Sequence, residues 1–277
     1  MAAEALCFAV PTTANANPIA LSLVIPAFNE AATLPRTLAA LRDAAGRVDV
    51  AHEVVVVDNH STDATAAVAR EHGADRVVFE PINQIARARD AGARAAAGRW
   101  LVFVDADTQV SAELLSATVS TLRSGASGGG AVVAFDRPVG LVPRWLLWLW
   151  NTLSRLRRWA AGCYVFATRE AWEAAGGFGT KDFAGEEVGF SQRVGRWGKR
   201  HGPGEFVILT QTPAVTSARK IHAWHRVMPS LLLMGLLPWT RRCKALCGWW
   251  YRPAGRSQAD PPAAHGQPRP ASPSASR

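Results

Sequence analysis

Short apolar runs alternate with helix-period stretches along the first half of the chain. Residues 21–25 (LSLVI) read as a strand, and Asn29 then stands as a helix N-cap. Pro35 suits the first turn of that helix, which carries Leu34, Leu38 and Leu41 on one face. Residues 53–57 (EVVVV) form a second strand, too uniformly apolar for a sheet with one wet face. The run STDATAAVAREHG opens on capping residues and closes on Gly73, a C-cap candidate. A third strand covers 76–80 (RVVFE), an Ala- and Arg-rich helix covers 84–97 up to Gly98, and a fourth strand covers 100–104. Ser111 caps a further helix with Leu114, Leu115 and Leu122 inward. Such alternation predicts a Rossmann-like α/β fold, a mostly parallel sheet with helices on both faces.

The second half is less regular. Residues 130–135 and 163–167 read as strands, separated by a segment at 144–159 in which tryptophan, leucine and arginine interleave. A short helix follows Arg169, then a turn at Gly176 and Gly177, a loop to Glu186, and strands at 205–209 and 213–217. Residues 227–239 are strongly apolar, and from Arg252 the chain turns to Pro, Ala, Ser and Gln, a composition that predicts disorder. The expected organisation is an extension over 1–20, one α/β domain over 21–220, an apolar and amphipathic segment over 221–251, and a tail over 252–277.

Composition adds three constraints. With 48% hydrophobic and 19% charged residues, a chain of 277 can bury a sizeable core. The four cysteines, Cys7, Cys163, Cys243 and Cys247, contain no C-x-x-C pair, which disfavours a disulfide framework or zinc site and suits a reducing, cytoplasmic setting. A formal net charge of +9 implies an acidic partner. The basic residues form no nucleic-acid-binding module, so phosphate groups or anionic lipid are the expected partners. The N-terminus carries Glu4 and no Lys or Arg, unlike a signal peptide, and no apolar run reaches the ~20 residues of a spanning helix. Segments 144–159 and 227–250 instead match peripheral contact with an anionic membrane surface, the inner face of the cell membrane; core or oligomer packing is the competing reading.

Candidate chemistry sits where the strands end. In an open parallel sheet, ligands bind in the crevice beyond the carboxyl ends of the strands. The first strand delivers Asn29, the second Asp58, and the fourth Asp105 and Asp107 with only Ala106 between them. Paired carboxylates suit Mg²⁺ or Mn²⁺, hard cations that keep one or two carboxylates and complete their shell with substrate phosphates. Taken alone, D-x-D is a short pattern that also occurs in surface turns. Arg87, Arg89 and Arg94 are candidates to stabilise charge on a diphosphate leaving group, Arg94 being the one best explained as a solvated helix face. Glu186 and Glu187, at a predicted helix start, are candidates for a general base, or else ordinary dipole-complementing charge. His222 and His225 form H-x-x-H, and His222 is a candidate metal ligand.

Four stretches in collinear order resemble a family 2 glycosyltransferase of the GT-A fold: LSLVIPAFNEAATL, EVVVVDNHSTDAT, IARARDAGARAAAGRWLVFVDADT, and EAAGGF followed by FAGEEVGFSQRV. The resemblance covers about residues 21–220. It implies transfer of a sugar from a nucleotide-diphosphate donor to an acceptor hydroxyl, with inversion and with a divalent metal. It implies that Pro26, Phe28, Asn29 and Glu30 line the nucleotide pocket and that Asp58 and Asn59 recognise the base. Arg89 approaches the nucleotide, Asp105 and Asp107 hold nucleotide and metal, and Glu187 is the base beside Glu186. The chain departs from the family pattern at Asn59 and Glu187, where aspartates are usual, at Asp90, where asparagine is usual, and at Gln84, where glycine is common. The acceptor is unspecified, a lipid-linked one being compatible with the tryptophan-rich segments. A catalytically inactive GT-A-like nucleotide-sugar binder and a nucleotidyltransferase are the alternatives; the latter lacks its glycine-rich phosphate loop after the first strand.

Overall fold

The structure is a computed structural model, and it describes residues 19–181, 184–201 and 204–219. An eight-stranded mixed sheet runs in the order β3-β2-β1-β4-β7-β6-β8-β5. Strands β1 (Leu21–Ala27), β2 (His52–Asp58), β3 (Arg76–Phe79) and β4 (Trp100–Val104) form the parallel half. They are joined by α1 (Leu34–Gly46), α2 (Thr65–Glu71) and α3 (Ile85–Ala95). Side chains alternate across these buried strands. Leu23, Ile25, Val54, Val56, Val102 and Val104 pack on one face, while Val24, Val55, Val57, Leu101 and Phe103 pack on the other. Burial on both faces is why β2 reads as an unbroken apolar run. Helix α3 lies close against the sheet, because a Cβ on Gly92 would stand 2.3 Å from a Val24 methyl.

The other half reverses direction. After the two-residue β5 (Thr108–Gln109) and α4 (Ala112–Arg123) come β6 (Gly128–Phe135), α5 (Leu141–Arg157), β7 (Tyr164–Thr168), α6 (Arg169–Ala174), α7 (Glu186–His201) and β8 (Phe206–Thr216). Strand β7 pairs antiparallel with both β4 and β6, so the sheet is parallel only in part. The Ser111 cap forms as expected, its hydroxyl accepting from the Leu114 amide. Arg169 closes the far end of α3, donating to the carbonyls of Ala93, Ala96 and Gly98. A cation at a helix C-terminus meets both unpaired carbonyls and the dipole.

Two expected boundaries are corrected. Asn29 does not cap α1, whose N-cap is Thr33. Asn29 adopts φ 54, and its side-chain oxygen accepts from the Thr62 amide at 2.8 Å, so it locks the loop after β1 to the loop after β2. The two short strands expected at 205–209 and 213–217 are one strand, β8, with an irregularity opposite Ala131 and Val133. The turn residues between them are accommodated by that slip in register. His222, His225, and the segments 1–18 and 220–277, with their apolar run, lie outside the described residues.

Candidate active site

The D-x-D turn is built by its neighbours. The Thr108 amide donates to the Asp105 carbonyl at 2.9 Å, closing a tight turn directly after β4. The Thr37 hydroxyl on α1 holds the buried Ala106 carbonyl at 2.7 Å. Strand β5 then pairs with the end of β8, and the Ser217 amide donates to the Asp107 carbonyl at 3.2 Å. This tiny strand therefore carries the chain beyond β8 to the carboxylates.

Each aspartate meets a different guanidinium. Arg89 on α3 is 1% exposed. Its Nη2 donates to Asp105 Oδ1 at 3.0 Å and to the Gly162 carbonyl at 2.7 Å, and its Nη1 donates to Glu186 Oε1 at 2.7 Å. Its charge also lies 5.2 Å above the Phe178 ring. Arg89 Nε is buried without a partner. Arg89 thus has an internal role, whatever a bound nucleotide would add to it. It joins the D-x-D turn to the start of α7, which lies 97 residues beyond Arg89 itself. Asp107 instead faces Arg219, whose Nη2 stands 3.3 Å from its Oδ2 and also contacts both carboxylate oxygens of Glu30. Arg219, Gly162 and Phe178 were not legible as site residues. The only signal for Arg219 is a basic residue three positions past the last strand.

Of the other candidate cations, Arg87 pairs with the buried Glu80 at 3.1 Å. The loops after β1 and β2 are tightly cross-linked. The Glu30 amide donates to Thr65 Oγ1 at 2.9 Å, and the Ser61 amide to Asp58 Oδ1 at 2.9 Å. Asn59 is buried; its oxygen accepts from the Gln84 amide and its nitrogen donates to Asn83. Gln84 in turn donates to the Thr180 carbonyl at 3.0 Å. Both departures at Asn59 and Gln84 are thus partners in one loop network. Pro26 is buried within β1, and Phe28 follows it partly exposed at the crevice.

Asp90 is a structural residue. Its Oδ1 accepts from the Trp172 indole at 3.0 Å and the Phe178 amide at 2.9 Å, and burial raises its pKa. These bonds pin the Gly176-Gly177 turn, and a Cβ on Gly177, at φ +66, would meet Asp90 Oδ1 at 2.5 Å. That turn leads into the segment before α7, whose first two residues are Glu186 and Glu187. Burial, followed by the adjacent Glu186 charge, pushes Glu187 up to about 8, against the opposing pull of Arg89. A carboxyl so tuned exchanges its proton close to neutral pH, and its ionised form is a stronger base than an ordinary carboxylate. Burial likewise raises the Cys163 thiol, beside the two aspartates, so it is no thiolate nucleophile.

Among the described residues no cluster of three metal-ligating side chains occurs. The donor set nevertheless suits a hard cation. Two carboxylates project from one turn, Asp105 with its side chain 27% exposed, and a cationic guanidinium already sits against Asp107.

Comparison with known proteins identifies the family and the fold. Residues 22–172 match the family model described as glycosyl transferase family 2. An uncharacterized glycosyltransferase of Mycobacterium tuberculosis (strain ATCC 25618 / H37Rv) is 38% identical over 120 residues, 43% of this chain and 50% of that one. The dolichyl-phosphate beta-glucosyltransferase of Drosophila melanogaster is 38% identical over 109 residues, 35% of this chain and 33% of that one. This chain thus spans half the length or less of these curated relatives. Among solved structures, a Pyrobaculum calidifontis mannosyltransferase in complex with GDP-Man and Mn²⁺ aligns with TM-score 0.58 and 22% identity, over 85% of this chain and 70% of that one. The glucosyl-3-phosphoglycerate synthase of Mycobacterium tuberculosis, in complex with Mn²⁺, UDP and phosphoglyceric acid, aligns with TM-score 0.51 and 23% identity, over 83% and 78%. With the family model matching more than half of its residues and its sheet shared with these enzymes, the chain has the GT-A fold and belongs to glycosyl transferase family 2.

Proposed function

We propose that this protein transfers a sugar from a nucleotide-diphosphate donor to an acceptor hydroxyl, with inversion at the anomeric carbon. One observation carries the reading: Arg89 joins Asp105 to Glu186, which sets an acidic pair with a raised-pKa member against the D-x-D turn. The nucleotide would lie across the ends of β1, β2 and β4, beside Pro26, Phe28, Asn29, Glu30, Asp58 and Asn59. Asp105 and Asp107 would hold Mg²⁺ or Mn²⁺ with the donor diphosphate. Such an ion, when bound, neutralises charge on the departing diphosphate. Mn²⁺ in the two solved neighbours, with UDP in one and GDP-Man in the other, supports both the donor class and the metal.

Glu187 removes the proton from the acceptor hydroxyl as its oxygen attacks the anomeric carbon and the bond to the diphosphate breaks. The proton ends on the Glu187 carboxylate and the electron pair on the diphosphate. Glu186, held by Arg89 at 2.7 Å, is the fixed negative neighbour that keeps Glu187 basic. One relative is named for dolichyl phosphate, which supports a lipid-linked acceptor as one class to test. The deciding experiment is release of nucleotide diphosphate from a panel of UDP- and GDP-sugars with Mn²⁺, with Mg²⁺ and with chelator. Metal-dependent release supports the reading. Binding of donor without release under any condition would make this a nucleotide-sugar binder instead.

A further inference from the structure

We infer that α5, together with the basic basin at its C-terminal end, docks this protein onto a bilayer of anionic lipid. The helix is attached to the body through few groups. Asn151 clamps it to β6, donating to the Val133 carbonyl and accepting from the Val133 amide, each at 2.9 Å. Within the helix only Ser154 is buried. Leu141, Trp145, Trp148 and Leu156 instead recur at spacings of three, four and eight, which places them on one face. That face is bare: Trp145 is 58% exposed and Trp148 59%, and Leu141 and Leu156 are more exposed still.

Charge selects the occupant. Between Asp136 and Glu170 the chain contains no acidic residue, while Arg137, Arg144, Arg155, Arg157, Arg158 and Arg169 are all basic. Beyond the last turn of α5, an open basin of about 250 Å³ is lined by Arg157 and Arg158 from this segment, Arg196 and Lys199 from α7, and Phe206 at its floor. Arg158 adopts a left-handed conformation, φ 54, that a side-chain-bearing residue rarely takes, and it turns the chain beside that basin. Among the described residues, the acidic group bonded to a basin cation is Glu205, an exposed partner of Arg158 at 3.0 Å. Exposed tryptophans suit the headgroup boundary, and a cationic basin beside them suits lipid phosphate; reversible membrane binding needs both kinds of contact. The chain leaving α5 passes through Ala160, whose amide donates to Ser191 on α7, to Gly162, the carbonyl partner of Arg89. A surface bound at α5 therefore lies next to the candidate site.

The test is co-sedimentation of the full chain with vesicles of phosphatidylcholine alone or mixed with phosphatidylglycerol, at low and high salt. The expected result is salt-sensitive binding to the anionic vesicles only. Trp145→Ser with Trp148→Ser should weaken it by ~10-fold or more. Arg196→Gln with Lys199→Gln should weaken it by ~25-fold, about fivefold per cation. Both variants should keep the wild-type melting temperature and affinity for nucleotide diphosphate. Three results would overturn the inference. Binding that persists in both variants would place lipid contact elsewhere in the chain, in 220–277. A wild-type dimer that the tryptophan changes dissociate would make this face a contact between copies. Saturable binding of free glycerol phosphate without vesicle binding would make the basin a small-anion site.

Discussion

Removing Arg89 tests the central tie of the site. Arg89→Met keeps most of the side-chain volume and deletes the charge. It leaves Glu186, which is buried, and Asp105, which is 27% exposed, without their shared cation. Breaking a buried ion pair from one side costs about 3–5 kcal/mol, chiefly because the remaining charge stays desolvated. Asp105 can rehydrate, so most of that penalty belongs to Glu186. Replacing both partners of a buried pair with apolar groups is often near neutral, so Arg89→Met with Glu186→Leu should recover at least half of the loss. Urea unfolding followed by tryptophan fluorescence measures both. The pH dependence supplies a second check. Glu187 titrates at about 8 in the fold against 4.5 unperturbed, so between those values the native state holds a proton that the unfolded chain releases. Its contribution to stability is therefore greatest at low pH and is lost as pH rises toward about 8. Arg89 is the group that restrains this rise, so without it the loss continues to higher pH. The deficit of Arg89→Met should then be larger at about pH 9 than at about pH 7. A deficit under about 1 kcal/mol, or a double variant as unstable as the single, would refute the burial argument.

Glu187→Gln should retain affinity for nucleotide diphosphate and lose transfer by about 10²–10⁴-fold, the usual worth of a general base. In the wild type, transfer should rise with pH and level off near 8, and that limb should vanish in the variant; if Glu186→Gln alone removes it, the base is one residue earlier. Asp107→Asn should abolish Mn²⁺-dependent donor binding, read by calorimetry, with the melting temperature unchanged; unaltered binding would exclude it as a metal ligand. Gly177→Ala should cost ~1–3 kcal/mol in urea unfolding, because the position has φ +66 and its new methyl meets the Asp90 carboxylate. A neutral effect there would mean the turn relaxes freely.

What the sequence disclosed and what it hid have different physical origins. The parallel half of the sheet was legible because β1, β2 and β4 are buried on both faces, and an unbroken apolar run leaves few alternatives. The D-x-D pair was legible because two carboxylates directly after such a run must turn out of the core. The internal ties of Arg89 were hidden for the converse reason. A cation near a phosphate site suggests contact with phosphate, and only the fold shows its charge consumed by Asp105 and Glu186, 16 and 97 residues away. Asn29 looked like a helix cap because capping chemistry is local, whereas its actual partner, the Thr62 amide, lies 33 residues on. Arg219 gave almost no signal, since its link to Glu30 spans 189 residues and depends on a two-residue strand too short to leave a pattern. The departures at Asn59, Gln84 and Asp90 fall in the same class. Judged against a motif they look like eroded nucleotide contacts. In the fold, Asn59 accepts from the Gln84 amide, the Gln84 side chain donates to the Thr180 carbonyl, and Asp90 holds the turn that presents α7. These three changes therefore bear on how the site is braced, and the proposed acid-base chemistry depends instead on Glu187, whose pKa burial and Glu186 raise.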